Sequence, residues 1–203
     1  FVHTSVKSRL LERIIGYIRH FYGEQIKESS DYPRIVCREA AERIAGLIKN
    51  ELVVYGGEVD LDSCFIAPTL LEVMEQDAPV MQEEIFGPVL PILQFQKTEE
   101  VIRYINEHDK PLALYYFGRT AEARRIMAAT TSGGVCVNDT IMHIANAHLP
   151  FGGVGHSGMG RYHGKESFLT FSNRRSVLYA TTKWDLPFRY PPYPKLKILK
   201  RLP

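Results

Sequence analysis

Beyond Ser5, a residue type that caps helices, Val6, Leu10, Ile14 and Ile18 recur every four positions, with Leu11 and Ile15 beside them. That spacing draws one apolar stripe along an α-helix, and Gly23 is its expected stop. A second helix is predicted over 38–49, with Ala41, Ile44, Ala45 and Ile48 inward and Asn50 at its end. Leu52-Val53-Val54-Tyr55 before Gly56-Gly57 reads as a strand and a turn, and Cys64-Phe65-Ile66-Ala67 before Pro68 as another strand. A third strand spans 89–95, where Pro91 marks an edge or a bend. Thr98 caps a helix running to His108, with Val101, Ile102 and Ile105 inward. The unbroken apolar run from Leu112 to Phe117 predicts a strand covered on both faces. A helix over 120–129 and a strand over 134–138 follow.

Strands and helices therefore alternate from residue 1 to about residue 140. The fold class implied is α/β, a mostly parallel open sheet with helices on both faces. The pattern changes after His148. Residues 150–165 are rich in glycine, a last strand fits 176–180, and Pro187, Pro191, Pro192, Pro194 and Pro203 predict an extended tail. Phe1-Val2-His3 alternates like a strand and starts without Met, so the chain reads as a piece of something longer.

Composition narrows the function. Of 203 residues, 45% are hydrophobic and 24% charged, which suits a folded domain. The 25 basic residues are dispersed among 23 acidic ones, so no basic surface argues for nucleic acid. No apolar run approaches the ~20 residues that span a bilayer, and no charged leader opens the chain. Cys37, Cys64 and Cys136 are odd in number and far apart. They predict reduced thiols and a cytoplasmic setting, without a structural disulfide or zinc site.

Two motifs bear on chemistry. Gly153-Val154-Gly155-His156-Ser157-Gly158 satisfies the dinucleotide pattern Gly-x-Gly-x-x-Gly but lacks the preceding strand and following helix that a phosphate site needs. Glu83-Glu84-Ile85-Phe86-Gly87-Pro88 is more specific. On a strand its two carboxylates would face opposite sides, leaving one to bind or react and the other solvated or structural. Further on, Asn138 to Ile144 follow a strand end, where α/β sites form. His143 and His148 lie there without an evident third ligand, so a metal pair is set aside and solvated or capping histidines are expected.

These segments resemble the aldehyde dehydrogenase family. Glu83 to Pro88 is similar to its cofactor-contact motif, and Leu149 to Gly158 to its late glycine-rich loop. Gly158 to Lys165 and Phe168 to Ser172 look like the class 3 branch, which includes fatty-aldehyde enzymes. The resemblance runs from residue 1 to about 192.

It implies an aldehyde oxidised to a carboxylic acid with NAD or NADP as cofactor. A cysteine thiolate attacks the aldehyde, hydride passes to the nicotinamide, and a glutamate activates water. It also implies that Glu84 accepts hydrogen bonds from the nicotinamide ribose and that Phe86 packs by the nicotinamide. Ile141, Ile144, Phe151 and His163 would line the substrate pocket. Only the nicotinamide end of the cofactor would meet this chain, which leaves NAD and NADP undistinguished.

None of the three cysteines sits at the family's nucleophile position, so no catalytic residue is assigned. The implied organisation is an incomplete catalytic domain over 1–172, and an oligomerisation strand and tail over 173–203 that suit a homodimer or a missing N-terminal part. The alternative is a non-catalytic assembly module derived from such an enzyme, pairing through a strand edge. The alternating basic and apolar residues of 193–202 are expected to form a surface arm, with an interfacial membrane anchor as the other reading.

Overall fold

The computed structural model describes residues 1–75, 77–186 and 189–192. The chain opens with β1 (Val2–His3) and α1 (Lys7–Tyr22), followed by α2 (Arg38–Ile48) and β2 (Leu52–Tyr55). A small antiparallel hairpin of β3 (Val59–Asp60) and β4 (Phe65–Ile66) leads into β5 (Thr69–Glu72). Then come β6 (Val89–Ile92), β7 (Gln94–Phe95), α3 (Thr98–Glu107) and β8 (Ala113–Tyr116). The order closes with α4 (Thr120–Ala129), β9 (Gly134–Val137), α5 (Met142–Ala145) and α6 (Gly164–Phe171).

β5 pairs antiparallel with β2 and parallel with β6, and β1 pairs parallel with β7. Ile92 accepts from the Val73 amide while Leu93 accepts from the Val2 amide. Successive carbonyls of an extended chain face opposite edges, so β5 and β1 flank one continuous β6–β7 segment. Pro91 shares the parity of Leu93. Its missing N–H therefore faces the edge where β1 has not yet begun, which is where a strand tolerates proline.

Helices cover both faces of this sheet, as expected. Leu70 and Leu71 are successive and so point to opposite sides. Leu70 joins Val2 and Ile92 beneath Leu11, Ile14 and Ile15 of α1. Leu71 joins Val89 and Leu93 beneath Ala41, Ile44 and Ile48 of α2. Burying each large aliphatic side chain contributes about 1.5–3 kcal/mol, so these two layers hold the fold together. The Glu72 carboxylate adds a polar tie, accepting from Lys7 of α1 and from Gln94 Nε2 of β7 at 2.6 Å.

Several expectations are corrected. The sheet centre is held by β5, a strand the sequence pattern does not predict, because Pro68 ends the preceding strand without preventing a new one from starting at Thr69. Cys64 belongs to a turn, with φ +53, and is not a strand residue. The helices α5 and α6 fall in stretches where the sequence pattern predicts no helix.

β8 is not covered on both faces: Tyr115 is 41% exposed, and Phe117 just beyond the strand 65%. Among the described residues it pairs only with β9, as a parallel unit joined by α4. Between that unit and β1 lies a cavity of about 1050 Å³, lined among others by Val2, Leu10, Val101, Ile105 and Leu114. Leu10 of the α1 stripe and Val101 and Ile105 of α3 line this cavity, whereas Leu11, Ile14 and Ile15 of α1 pack on the sheet. Neither helix has a fully buried residue.

Residues 173–181 carry no regular structure, so the strand expected at 176–180 does not form within the chain. Its apolar side chains are open, with Leu178 91% exposed. A strand has no ladder to join without a neighbour. The basic and apolar tail of 193–202 lies outside the described residues.

Candidate cofactor and substrate site

The Glu83–Pro88 motif is a turn, not a strand. A 3-10 turn at Pro79–Met81 buries Val80 in the α2 layer, and irregular chain follows to Pro88. The surroundings of the two carboxylates differ. Glu83 accepts from Arg43 Nη1 at 2.9 Å. Glu84 is exposed, and its carboxylate forms no hydrogen bond or ion pair among the described residues.

Arg43 also donates to the backbone carbonyls of Glu84 (Nη1, 3.3 Å) and Ile85 (Nη2, 2.6 Å). Two successive carbonyls can converge on one guanidinium only if the chain curls between them. Phe86 follows in the left-handed region at φ +51, with its side chain 81% exposed. Gly87 then closes onto Ile44 of α2, tightly enough that a Cβ would lie 2.6 Å from Ile44 Cδ1.

The second group sits past the end of β9. Asn138 clasps Gly118 beyond the end of β8, accepting from its amide at 2.8 Å and donating to its carbonyl at 3.1 Å. Ile141, at φ +64, precedes α5 and is 61% exposed. Its carbonyl accepts from the amide of half-buried Ile144 at 2.7 Å, so both lie on one turn. Phe151 and Tyr162 exchange two backbone hydrogen bonds of 2.9 Å. That bridge sets the Phe151 ring against His163, with centroids 5.8 Å apart and 30° between planes. His163 has φ +86 and precedes α6.

Phe151 and His163 are thus brought together, and Ile141 and Ile144 share a turn. No hydrogen bond, ion pair or ring contact among the described residues joins Glu84 or Phe86 to these four. Among the described residues, the non-glycine residues with positive φ are Cys64, Phe86, Asn138, Ile141 and His163. Three of those five were singled out as site residues from the sequence. Such conformations cost about 1–3 kcal/mol each and cluster where function holds them.

His143 departs from expectation. It is buried, neither solvated nor capping, and packs edge-on to Tyr115 (5.7 Å) and beside Phe151 (5.9 Å). Both its ring nitrogens lack a partner among the described residues. His148 is exposed. The Gly-x-Gly-x-x-Gly stretch folds on itself: Ser157 Oγ accepts from the Val154 amide and donates to its carbonyl. Its middle forms a 3-10 turn at Gly155–Ser157. Sequence reasoning missed Arg43, because its contacts lie some 40 positions away and only packing of α2 brings them together.

Comparison with known proteins identifies the class. The sequence model of the aldehyde dehydrogenase family matches residues 1–177, and the chain belongs to that family. It is 48% identical over 193 residues to the dimeric NADP-preferring aldehyde dehydrogenase of Rattus norvegicus, covering 94% of this chain and 43% of that protein. It is 45% identical over 203 residues to the 4,4'-diaponeurosporen-aldehyde dehydrogenase of Staphylococcus aureus, covering 98% and 44%. The substrate-bound structure of Staphylococcus aureus AldH superposes with a TM-score of 0.86 at 44% identity, covering 98% of this chain and 44% of that one. A succinic semialdehyde dehydrogenase from Streptococcus pyogenes, in complex with NADP+, gives 0.77 at 26% identity, covering 89% and 41%. The chain thus spans less than half the length of these relatives.

Proposed function

We propose that this chain supplies the C-terminal part of the catalytic domain, residues 1–172, of an NAD(P)-dependent aldehyde dehydrogenase that oxidises aldehydes to carboxylic acids. The observation that carries the reading is the Glu84–Phe86 turn. It presents an unpaired carboxylate and an open aromatic ring two residues apart, held from behind by Arg43.

That pair fits the nicotinamide end of the cofactor. A carboxylate can accept from both hydroxyls of a ribose, and an aromatic face suits a flat ring. The bound cofactor would take up the hydride. Glu84 would orient the ribose, and Phe86 would limit water and movement at the ring. Ile141, Ile144, Phe151 and His163 would form an apolar wall with one polar tip for the aldehyde. None of Cys37, Cys64 and Cys136 stands where the family carries its nucleophile. The thiolate nucleophile is therefore assigned to sequence outside these 203 residues.

The test is aldehyde-dependent reduction of NAD(P) by the protein at its natural length. Glu84→Ala should raise the cofactor KM by at least ~10-fold while leaving the aldehyde KM near its original value. The 203-residue chain alone should show no turnover. Robust turnover by that chain, or an unchanged cofactor KM in Glu84→Ala, would overturn the assignment.

A second role is favoured by the open apolar side chains of residues 177–179. We assign 173–203 as an arm that pairs with another copy in a homodimer, since an unpaired segment can complete a neighbour's sheet. Sedimentation showing monomer for the natural-length protein would remove this role.

A further inference from the structure

We propose that Arg43 is the positioning residue of the cofactor site, curling the Glu84–Phe86 turn into its presenting shape; this rests on reading Glu84 and Phe86 as cofactor contacts. Arg43 lies on α2 next to Ile44, which is fully buried in the core. The backbone carrying the guanidinium is therefore fixed by packing. From that fixed base the fork reaches three acceptors on the turn: the Glu83 carboxylate, the Glu84 carbonyl and the Ile85 carbonyl.

These contacts differ in weight. The Arg43–Glu83 pair is open to water, with side chains 37% and 47% exposed, and exposed pairs contribute little. The Ile85 carbonyl bond is shorter, at 2.6 Å, and part-buried. A planar fork can hold two neighbouring carbonyls at once, whereas an ammonium is a single point. The clamp on the backbone thus does the positioning, and the ion pair is secondary. Its consequence is the placement of the next residue. With the Glu84 and Ile85 carbonyls both turned inward to Arg43, the Glu84 side chain and Phe86 are turned out, and Phe86 is held at positive φ. Without the clamp, Phe86 can relax to an ordinary conformation and the pair loses its spacing.

The experiment uses natural-length protein and measures the dissociation constant of NADH and NADPH by fluorescence, together with KM for cofactor and aldehyde and amide exchange over residues 82–88. Arg43→Met should weaken cofactor binding by at least ~10-fold, equivalent to about 1.4 kcal/mol, with the aldehyde KM unchanged and exchange faster over 82–88 only. Glu83→Gln, which keeps both carbonyl bonds, should bind cofactor as the parent does. Arg43→Lys should show a smaller loss.

Should Arg43→Met fail to fold, Arg43→Lys with Glu83→Gln carries the test. Parent-like affinity in the first, or a large loss in the second, overturns the clamp. If Glu84→Ala weakens the cofactor but Arg43→Met does not, Arg43 is not a positioning residue. If Glu84→Ala has no effect, the cofactor reading itself fails.

Discussion

Replacing Gly87 by alanine tests how closely the Glu83–Pro88 turn is seated on α2. The added Cβ would lie 2.6 Å from Ile44 Cδ1, 3.4 Å from Cγ1 and 3.6 Å from Cγ2. Carbon atoms rest at about 3.5–4.0 Å, so only the terminal methyl is overlapped, by roughly 1 Å. Ile44 is fully buried among Leu71, Val80 and Val89, which leaves that methyl little room to swing. Overpacking of this kind costs about 1–3 kcal/mol, and a single terminal methyl puts it in the lower half. Restricting the unfolded chain returns roughly 0.4–1 kcal/mol, because Gly87 does not need positive φ. The net expectation is a loss of about 1 kcal/mol.

A double-mutant cycle isolates the overlap from the unfolded-state effect. Ile44→Val removes the offending Cδ1 and by itself costs about 0.5–1.5 kcal/mol. In the double variant the alanine methyl occupies the vacated space, so the loss should fall short of the sum by about 1 kcal/mol. The assay is urea unfolding of all four proteins, compared at equal m. Additivity within about 0.3–0.5 kcal/mol would refute the contact as the reason for glycine at 87.

Two further outcomes follow from other parts of the structure. Asp60 is held well below the usual carboxylate range by the Ser63 hydroxyl and by Lys27. The unfolded chain therefore takes up this proton first, so the stabilisation is present above the ordinary aspartate range and is lost as pH falls towards the folded value. Asp60→Asn should flatten the acid side of the urea-midpoint profile, and parallel profiles would show that Asp60 contributes nothing. The cavity between β1 and β8 should make the 203-residue chain bind a hydrophobic dye and self-associate, whereas a dye-silent monomer in sedimentation would contradict this.

The sequence by itself determined the element types over most of the chain, the α/β class and the family. Helical stripes such as Val6 to Ile18 and Ala41 to Ile48, and apolar runs such as Leu112 to Phe117, are local patterns whose period survives whatever packs against them. The Glu83–Pro88 motif was legible for the same reason, since its residues are contiguous.

Which surfaces those patterns face was decided in three dimensions. The central strand β5 begins directly after Pro68, and Leu10, Val101 and Ile105 line a cavity while Leu11, Ile14 and Ile15 of the same α1 stripe pack on the sheet. The expected strand at 176–180 has no strand partner among the described residues. Arg43 meets Glu83, Glu84 and Ile85 because α2 packs its neighbour Ile44 beneath the turn. His143 became buried because Tyr115 and Phe151 close over it from distant segments. Burial and hydrogen-bond partnership belong to pairs of residues far apart in sequence, and a linear pattern of residue types carries no record of which pairs will meet.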